Sequence, residues 1–315
     1  MLPGMRLAKR TREDLKVQKE ALNESFLAYK SIGAIGADPE FVFTVAELIR
    51  QLAIDEFVLT DPTPLFCMRA QAELGQTIEL EEYVNSMRMV RRFPGSQALV
   101  FQPIKRKYPI VTKEYDLPFG IDLEKVLRRE LTPAVFAEHA AQALSRIWVN
   151  TVLTTIDAAE AAGSTDHYGR PLRFTSVGSL IQTSLDSALQ ALGDVNTDMF
   201  IAGRYFALFP ITGFSGFSNL ALEEIRQTGL VGYYKGAKVV LLRDDYNWWT
   251  GEIAIPSNRI YLGGGNKGAW LHERDVAALN YQYIDHETAW LKTGFRLDFG
   301  VTVVQPWKYR VCDLV

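Results

Sequence analysis

TPAVFAEHAAQALSRIWVNTVLTTIDAAEAAG, residues 132–163, is the stretch whose reading decides the fold. Thr132 is a good N-cap, Pro133 suits a first helical turn where its missing N–H has no partner to lose, and Leu131 can staple onto Phe136. At the far end, Gly163 can take the left-handed conformation that closes a helix. Between them Phe136, Ala140, Leu144, Ile147, Thr151, Thr155 and Ala159 recur at steps of three and four, and Trp148, Val152 and Ile156 widen the stripe. The pattern predicts a rod of roughly 45 Å at about 1.5 Å per residue, far beyond the about 11 to 12 residues of an ordinary globular helix. Glu138, Gln142, Arg146, Asn150, Asp157 and Glu160 make it too polar for a membrane span, which takes about 20 largely apolar residues. An ordinary core helix of a large domain stays open on this stretch alone, so its neighbours decide.

The chain has 315 residues, 48% of them hydrophobic, enough for a sizeable core in one large or two modest domains. Lys and Arg number 34 against 37 Asp and Glu; the formal charge of -3 gives no global attraction for nucleic acid or an anionic membrane and disfavours sequence-specific DNA binding. Cys67 and Cys312 are too few and too far apart for a disulfide scaffold or a metal cluster, which points to folding in a reducing cytoplasm. Arg6, Lys9 and Arg10 are not followed by an apolar run, so no secretory signal is expected.

Upstream of the long helix, residues 11–30 place Leu15, Leu22, Phe26 and Tyr29 on one side of an amphipathic arm whose narrow stripe needs a partner surface, its own body or another subunit. FVFTVAELIRQLAIDEFVL, residues 41–59, mixes β-branched and helix-forming residues and enters the core, until Asp61, Pro62 and Pro64 stop it. Residues 77–92 alternate as a strand, Phe93 to Ser96 turn, and residues 98–111 return as the second strand of a long hairpin. From Arg88 to Lys107 every charge is positive: Arg88, Arg91, Arg92, Lys105, Arg106 and Lys107. A two-stranded ribbon is marginal in water by itself, so it leans on something else or forms the solvated edge of a larger sheet.

Downstream, STDHYGRPLRFTS reads as a crossover between two lobes. Residues 179–192 carry helical spacing through Ile181, Leu185, Ala188, Leu189 and Leu192, and DMFIAG, residues 198–203, is a short apolar strand. YFALF is compatible with a helix, GYYKGAKVVLL gives a turn and a strand, RIYLGGG runs a strand into glycines, and the closing segment alternates as strands with breaks at Gly294 and Gly300.

Catalytic and metal-binding patterns are missing. His286 and Glu287 begin an HExxH-like string that has Trp290 where the second histidine belongs. Gly213, Ser215 and Gly216 have the wrong spacing for a nucleophile elbow, and GGGNKG, residues 263–268, lacks the Lys-Ser/Thr pair of a P-loop and reads as a flexible turn. His139, His167 and His272 have no companions, and Glu79, Glu81, Glu82, Asp244 and Asp245 read as solvated or ion-paired carboxylates. Trp248 and Trp249 read as core or interface rings. No catalytic residue, cofactor or metal is assigned, which favours a structural protein.

The order of elements is a charged N-terminal helix, a long basic hairpin, FGIDLEK entering a very long helix, a separate mixed lobe, and terminal strands. It resembles that of the tailed-bacteriophage major capsid proteins, the Hong Kong 97 capsid fold, over nearly the whole chain. DMFIAGRYFALFPITG is similar to the strand and helix of that family's axial domain, RIYLGGGNKGAW to the strand before its loop at the symmetry axis, and AWLKTGFRLDFGVTVVQPWKYRV to its last peripheral strands. The resemblance implies an α+β fold: N-arm 1–36, peripheral domain 37–76, 113–165 with the spine helix, and 276–315, extended β-hairpin loop 77–112, and axial domain 166–275 with a central mixed sheet.

It further implies intersubunit contacts through Leu15, Leu22, Phe26 and Tyr29 of the arm and through the six hairpin cations, with Gly263, Gly264, Gly265, Asn266 and Lys267 in an axial loop. The implied partners are copies of itself in hexamers and pentamers, a portal, a separate scaffolding protein, a decoration protein, and double-stranded DNA held by non-specific containment. No membrane partner is expected; the implied location is the virion, assembled in host cytoplasm. Lys105 or Lys107 could supply a lysine for an intersubunit isopeptide bond, but no matching asparagine or glutamate is found and no crosslink is expected. A cargo-enclosing encapsulin shell and, remotely, an enzyme holding a phosphate ligand near Gly263 are the alternatives.

Overall fold

The computed structural model describes residues 12–27, 39–72, 79–84, 104–128, 130, 132–161, 163–242, 255–274, 281–285 and 290–315. Helix α1 (Arg12–Leu27) precedes α2 (Pro39–Thr60), which is helical despite its β-branched residues because Ala46, Ile49, Ala53 and Phe57 fall on one buried face. The short α3 (Thr63–Phe66), nucleated by Asp61 accepting the Thr63 N–H at 2.9 Å, leads into β1 (Cys67–Ala72). Strands β2 (Glu79–Val84) and β3 (Ile104–Pro109) pair antiparallel, and β4 (Lys113–Asp122) runs into α4 (Leu123–Leu127), capped by the Asp122 carboxylate on the Lys125 N–H.

The spine helix α5 (Pro133–Ala159) has 27 residues, about 40 Å. Thr132 holds the N-cap position without a side-chain bond; instead Asn23 of α1 accepts the Ala134 N–H at 3.3 Å. The helix closes at Glu160, so Gly163, with φ +90°, turns the chain after the helix rather than capping it. The buried face is also rotated from the expected one. Ala137, Ala141, Leu144, Trp148, Val152 and Ile156 form its centre, while Thr151 and Thr155 sit half-buried at the margin and donate back to the Ile147 and Thr151 carbonyls.

The second lobe runs β5 (Arg173–Ser176), α6 (Gln182–Gly193), β6 (Phe200–Gly203), α7 (Tyr205–Leu208) continued by a 3-10 turn over Phe209–Gly213, α8 (Asn219–Thr228), β7 (Tyr233–Tyr234), β8 (Ala237–Leu241) and β9 (Arg259–Gly263). Lys235 and Gly236, both at positive φ (47° and 82°), make the two-residue turn that lets β7 fold onto β8. Then come β10 (Ala269–Arg274), β11 (Tyr281–Asp285), β12 (Trp290–Val303) and β13 (Arg310–Leu314). β12 runs unbroken through Gly294 and Gly300, against the expected breaks; a side chain at Gly300 would overlap the Val111 carbonyl, so this glycine serves close packing.

Two sheets result. In the first, β12 pairs antiparallel with β4 along one edge and with β10 and β11 along the other, and β1 adds in parallel to β10. The second has the order β5-β13-β9-β6-β8-β7. Two segments therefore fall on the other side of the expected boundaries: Ala269–Arg274, placed in the axial segment 166–275, pairs in the first sheet, and Arg310–Leu314, placed in the peripheral segment 276–315, pairs in the second.

Alternation along the second sheet buries both of its faces. Phe200, Ala202, Tyr261 and Val311 point to the spine, joining Trp148, Val152, Ile156, Leu271 and Phe299 in one core. Ile201, Ile260, Leu262, Cys312 and Leu314 point the other way, under α6 and α7, in a second. Both cysteines are buried free thiols, each pushed up to about 12 by burial.

Candidate functional site

The hairpin stem is the first candidate surface. β2 and β3 pair only with each other among the described residues, in a register that sets Glu81 opposite Lys107 and Glu82 opposite Arg106. Lys105, Arg106 and Lys107 are all exposed. Lys107, however, is engaged inside its own stem, its ammonium 2.5 Å from Glu79, which makes Glu79 one of the ion-paired carboxylates. Arg88, Arg91 and Arg92 lie outside the described residues. Leu80 reaches the body of the chain, where with Met68, Trp270, Gln305 and Lys308 it lines a cavity of about 170 Å³.

Of the two partner surfaces open to the arm helix, the structure shows the chain's own body. Leu15 and Leu22 are buried within their own chain, and the Lys19 ammonium lies 2.6 Å from both Glu56 of α2 and Glu138 of the spine. The Asn23 cap on Ala134 adds a second anchor. A narrow apolar stripe found its partner surface at home, so Leu15 and Leu22 are not presented to a neighbour. Tyr29 and the side chain of Phe26 lie outside the described residues.

The glycine run is corrected as well. Gly263 and Gly264 are buried, neither has a positive φ, and an added Cβ would come within 2.5 Å of the Phe200 ring and of Asn196 respectively. The glycines are there for close approach, and the Gly265 N–H already donates to the Thr197 carbonyl at 2.8 Å, so the run makes no phosphate cradle. With Asn266 and Lys267 it carries the chain from β9 in the second sheet to β10 in the first. Lys308 donates to Asn266 across it at 2.8 Å.

Among the described residues no three His, Cys, Asp or Glu side chains could share a metal ion, and no helix is long and apolar enough to cross a membrane. The Ser215 hydroxyl meets Gln182 at 3.2 Å rather than a base, and His272 is buried, which lowers its proton affinity. His286, Glu287, Asp244, Asp245, Trp248 and Trp249 lie outside the described residues.

Two features escaped the sequence reading. Tyr205, Phe206 and Phe209 form an exposed aromatic ledge on α7 and its 3-10 extension, Phe206 at 75% exposure; the only local signal is their one and four residue spacing. The second is an ionic junction between the end of the spine and the second sheet. Asp157 meets Arg259 at 2.6 Å and the Tyr261 hydroxyl at 3.1 Å, while Asp313 receives Arg259 at 2.8 Å and both arms of Arg173. Hydrogen bonds from Arg173, then Arg259, outweigh burial and hold the Asp313 carboxyl below its ordinary range. Next to it Asp166, nearly buried, accepts from Arg170 and from the fully buried Arg310, both at 2.8 Å.

No family model matches the chain, and no curated protein does. Solved structures do. The capsid of the cyanophage P-SCSP1u is similar over 79% of this chain and 86% of its own, with 12% identity and a TM-score of 0.57. The capsid of a native GTA particle is similar over 80% and 89%, with 9% identity and a TM-score of 0.56. A virus-like particle from Pyrococcus furiosus is similar over 85% and 98%, with 13% identity and a TM-score of 0.50. At these identities the likeness is one of fold, and the fold is α+β and Hong Kong 97-like.

Proposed function

We propose that this protein is a tailed-phage major capsid protein, a non-enzymatic subunit that assembles into an icosahedral shell around double-stranded DNA. The observation that carries the reading is the fold shared with phage capsid structures over about four fifths of the chain. In this reading residues 1–36 are the N-arm, 77–112 the extended loop, 37–76, 113–165 and 264–309 the peripheral domain, and 166–263 with Arg310–Leu314 the axial domain.

The hairpin is the principal contact between subunits. A ribbon this narrow gains stability by lying across a neighbour, and Arg88, Arg91, Arg92, Lys105 and Arg106 offer positive charge to acidic surface there. Individual contacts are weak; closure of hexamers and pentamers into a shell multiplies them. A formal charge of -3 suits a container, because a strongly basic lumen would retain the duplex. A portal, a separate scaffolding protein and a decoration protein complete the particle, which is assembled in the host cytoplasm and resides in the virion, without a covalent crosslink between subunits.

A cargo-filled encapsulin shell is the second reading, favoured by the likeness to the virus-like particle from Pyrococcus furiosus. Negative-stain imaging and nucleic-acid analysis of particles formed in the host separate the two: a DNA-filled head with a portal vertex supports the first, a cargo-loaded shell without one the second. Replacing Arg91, Arg92, Lys105 and Arg106 by glutamate, with the Lys107–Glu79 pair of the stem kept, leaves the monomer folded but abolishes regular shells; normal particles from that variant would refute the intersubunit role of the hairpin.

A further inference from the structure

We propose that Glu160 is a proton-operated latch between the spine helix and the second sheet, closed while its carboxyl group is neutral and released when it ionises. Glu160 is the C-cap of α5, with no exposed surface, and neither carboxylate oxygen has a hydrogen-bond partner among the described residues. A carboxylate is out of place there. It sits at the negative end of the helix dipole, one turn after Asp157, in a dry junction.

The charges facing it come from several elements. From its own helix Asp157 repels it; Arg310 of β13 and Arg173 of β5 attract it. Both cations are committed elsewhere. Arg310 donates to Asp166 (2.8 Å) and to the carbonyls of Trp307 (2.9 Å) and Tyr309 (2.7 Å), and Arg170 shares the same Asp166 carboxylate. Arg173 is held by Asp313 and the Asp157 carbonyl. The Tyr309 hydroxyl stays neutral, its own ionisation opposed first by burial. Burial therefore dominates and pushes the Glu160 carboxyl from 4.5 up to about 9.

Two donors of the arginine cluster have no partner among the described residues, Nε of Arg310 and Nη2 of Arg170, and of these two residues Arg310 is the one whose charge acts on Glu160. An ionised Glu160 is relieved by water or by one of these N–H groups. Either requires the last turn of α5 and the start of β13 to shift, because both are packed in the core.

The sign follows from linkage. Below pH 4.5 the carboxyl is neutral in the closed and open junction alike, and the latch has its full strength; between 4.5 and about 9 opening releases one proton, so the opening equilibrium grows about tenfold per pH unit; above that range the latch is lost. Asp166 and Asp313, whose carboxyls are held below 3.8, act only in more acidic solution, and His272 lies in the first sheet; Asp157, raised by burial, contributes in the same sense as Glu160 but is present in wild type and variant alike, so the difference between them isolates Glu160.

The test is unfolding of the full-length chain from pH 5.5 to 8, wild type against Glu160→Gln. The variant should be the more stable, and the stability difference should widen about tenfold in equilibrium constant per pH unit. Equal pH slopes would overturn the proposal. Should the variant fail to fold, amide exchange on the wild type decides. After correction for intrinsic rates, opening at Leu172 and Val311 should rise about tenfold per unit while β1 stays flat; pH-independent opening at the junction would refute the latch.

Discussion

Tyr309→Phe removes a single oxygen from the place where the two lobes are sewn together. The Tyr309 hydroxyl is buried, accepts the N–H groups of Gly268 (2.9 Å) and Ala269 (3.0 Å), and donates to the carbonyl of Phe66. It thereby ties the turn before β13 to the start of β10 and to the end of α3. The ring keeps its packing in the variant, so the loss is that of three backbone groups left in a dry interior. Each stranded group costs about 1 to 3 kcal/mol, and with partial relaxation the sum is about 3 to 5 kcal/mol. At about 2.1 cal/mol/K per residue, the unfolding entropy of 315 residues is about 0.66 kcal/mol/K, so the melting temperature should fall by about 5 to 8 °C. Scanning calorimetry of the unassembled chain measures this, and amide exchange at Gly268 and Ala269 should accelerate beyond the global change. A drop below about 2 °C, or unchanged protection at these two amides, would refute the assignment of this hydroxyl as a joint between lobes.

Two other substitutions probe the same core. Gly263→Ala would place a methyl group 2.5 Å from Cζ of Phe200 and should cost about 1 to 3 kcal/mol; adding Phe200→Leu should recover part of that, and strict additivity in the double-mutant cycle would contradict the packing argument. Arg69 lies 4.7 Å over the Trp148 ring, donates to Thr63 at 2.7 Å and pairs with Asp61, whose side chain is 2% exposed. Arg69→Met should lower stability by about 3 to 5 kcal/mol, because it removes the cation from a buried carboxylate that keeps, among the described residues, only the Thr63 N–H and hydroxyl, and should move the urea midpoint with little change in slope.

Local patterns carried the elements further than the partners. Pro133 and the three and four residue steps after it located the spine, but the stripe read from Phe136 and Ile147 was off by about one position, since Thr151 and Thr155 satisfy themselves on the helix backbone and need no interior. Alternation found β2 and β3. It did not decide α2, where β-branched residues sit in a helix held by tertiary packing. The stripe of α1 was legible, whereas its docking on α2 and α5 was not: a narrow apolar face says that a partner exists, and only geometry says which. The exchange of β10 and β13 between sheets was invisible for the same reason, because strand pairing is a long-range choice. The junction around Arg310 joins groups as far apart in sequence as Asp166, with nothing at either position to announce the other.

β13 lies between β5 and β9, and among the described strands it is synthesised last. Until the ribosome reaches residue 314, β5 has no strand to hold it, although its residues emerged long before. Domains of a nascent chain ordinarily form one after another. Here the second lobe must wait for the first to be written past, so its sheet closes only once nearly the whole chain has emerged.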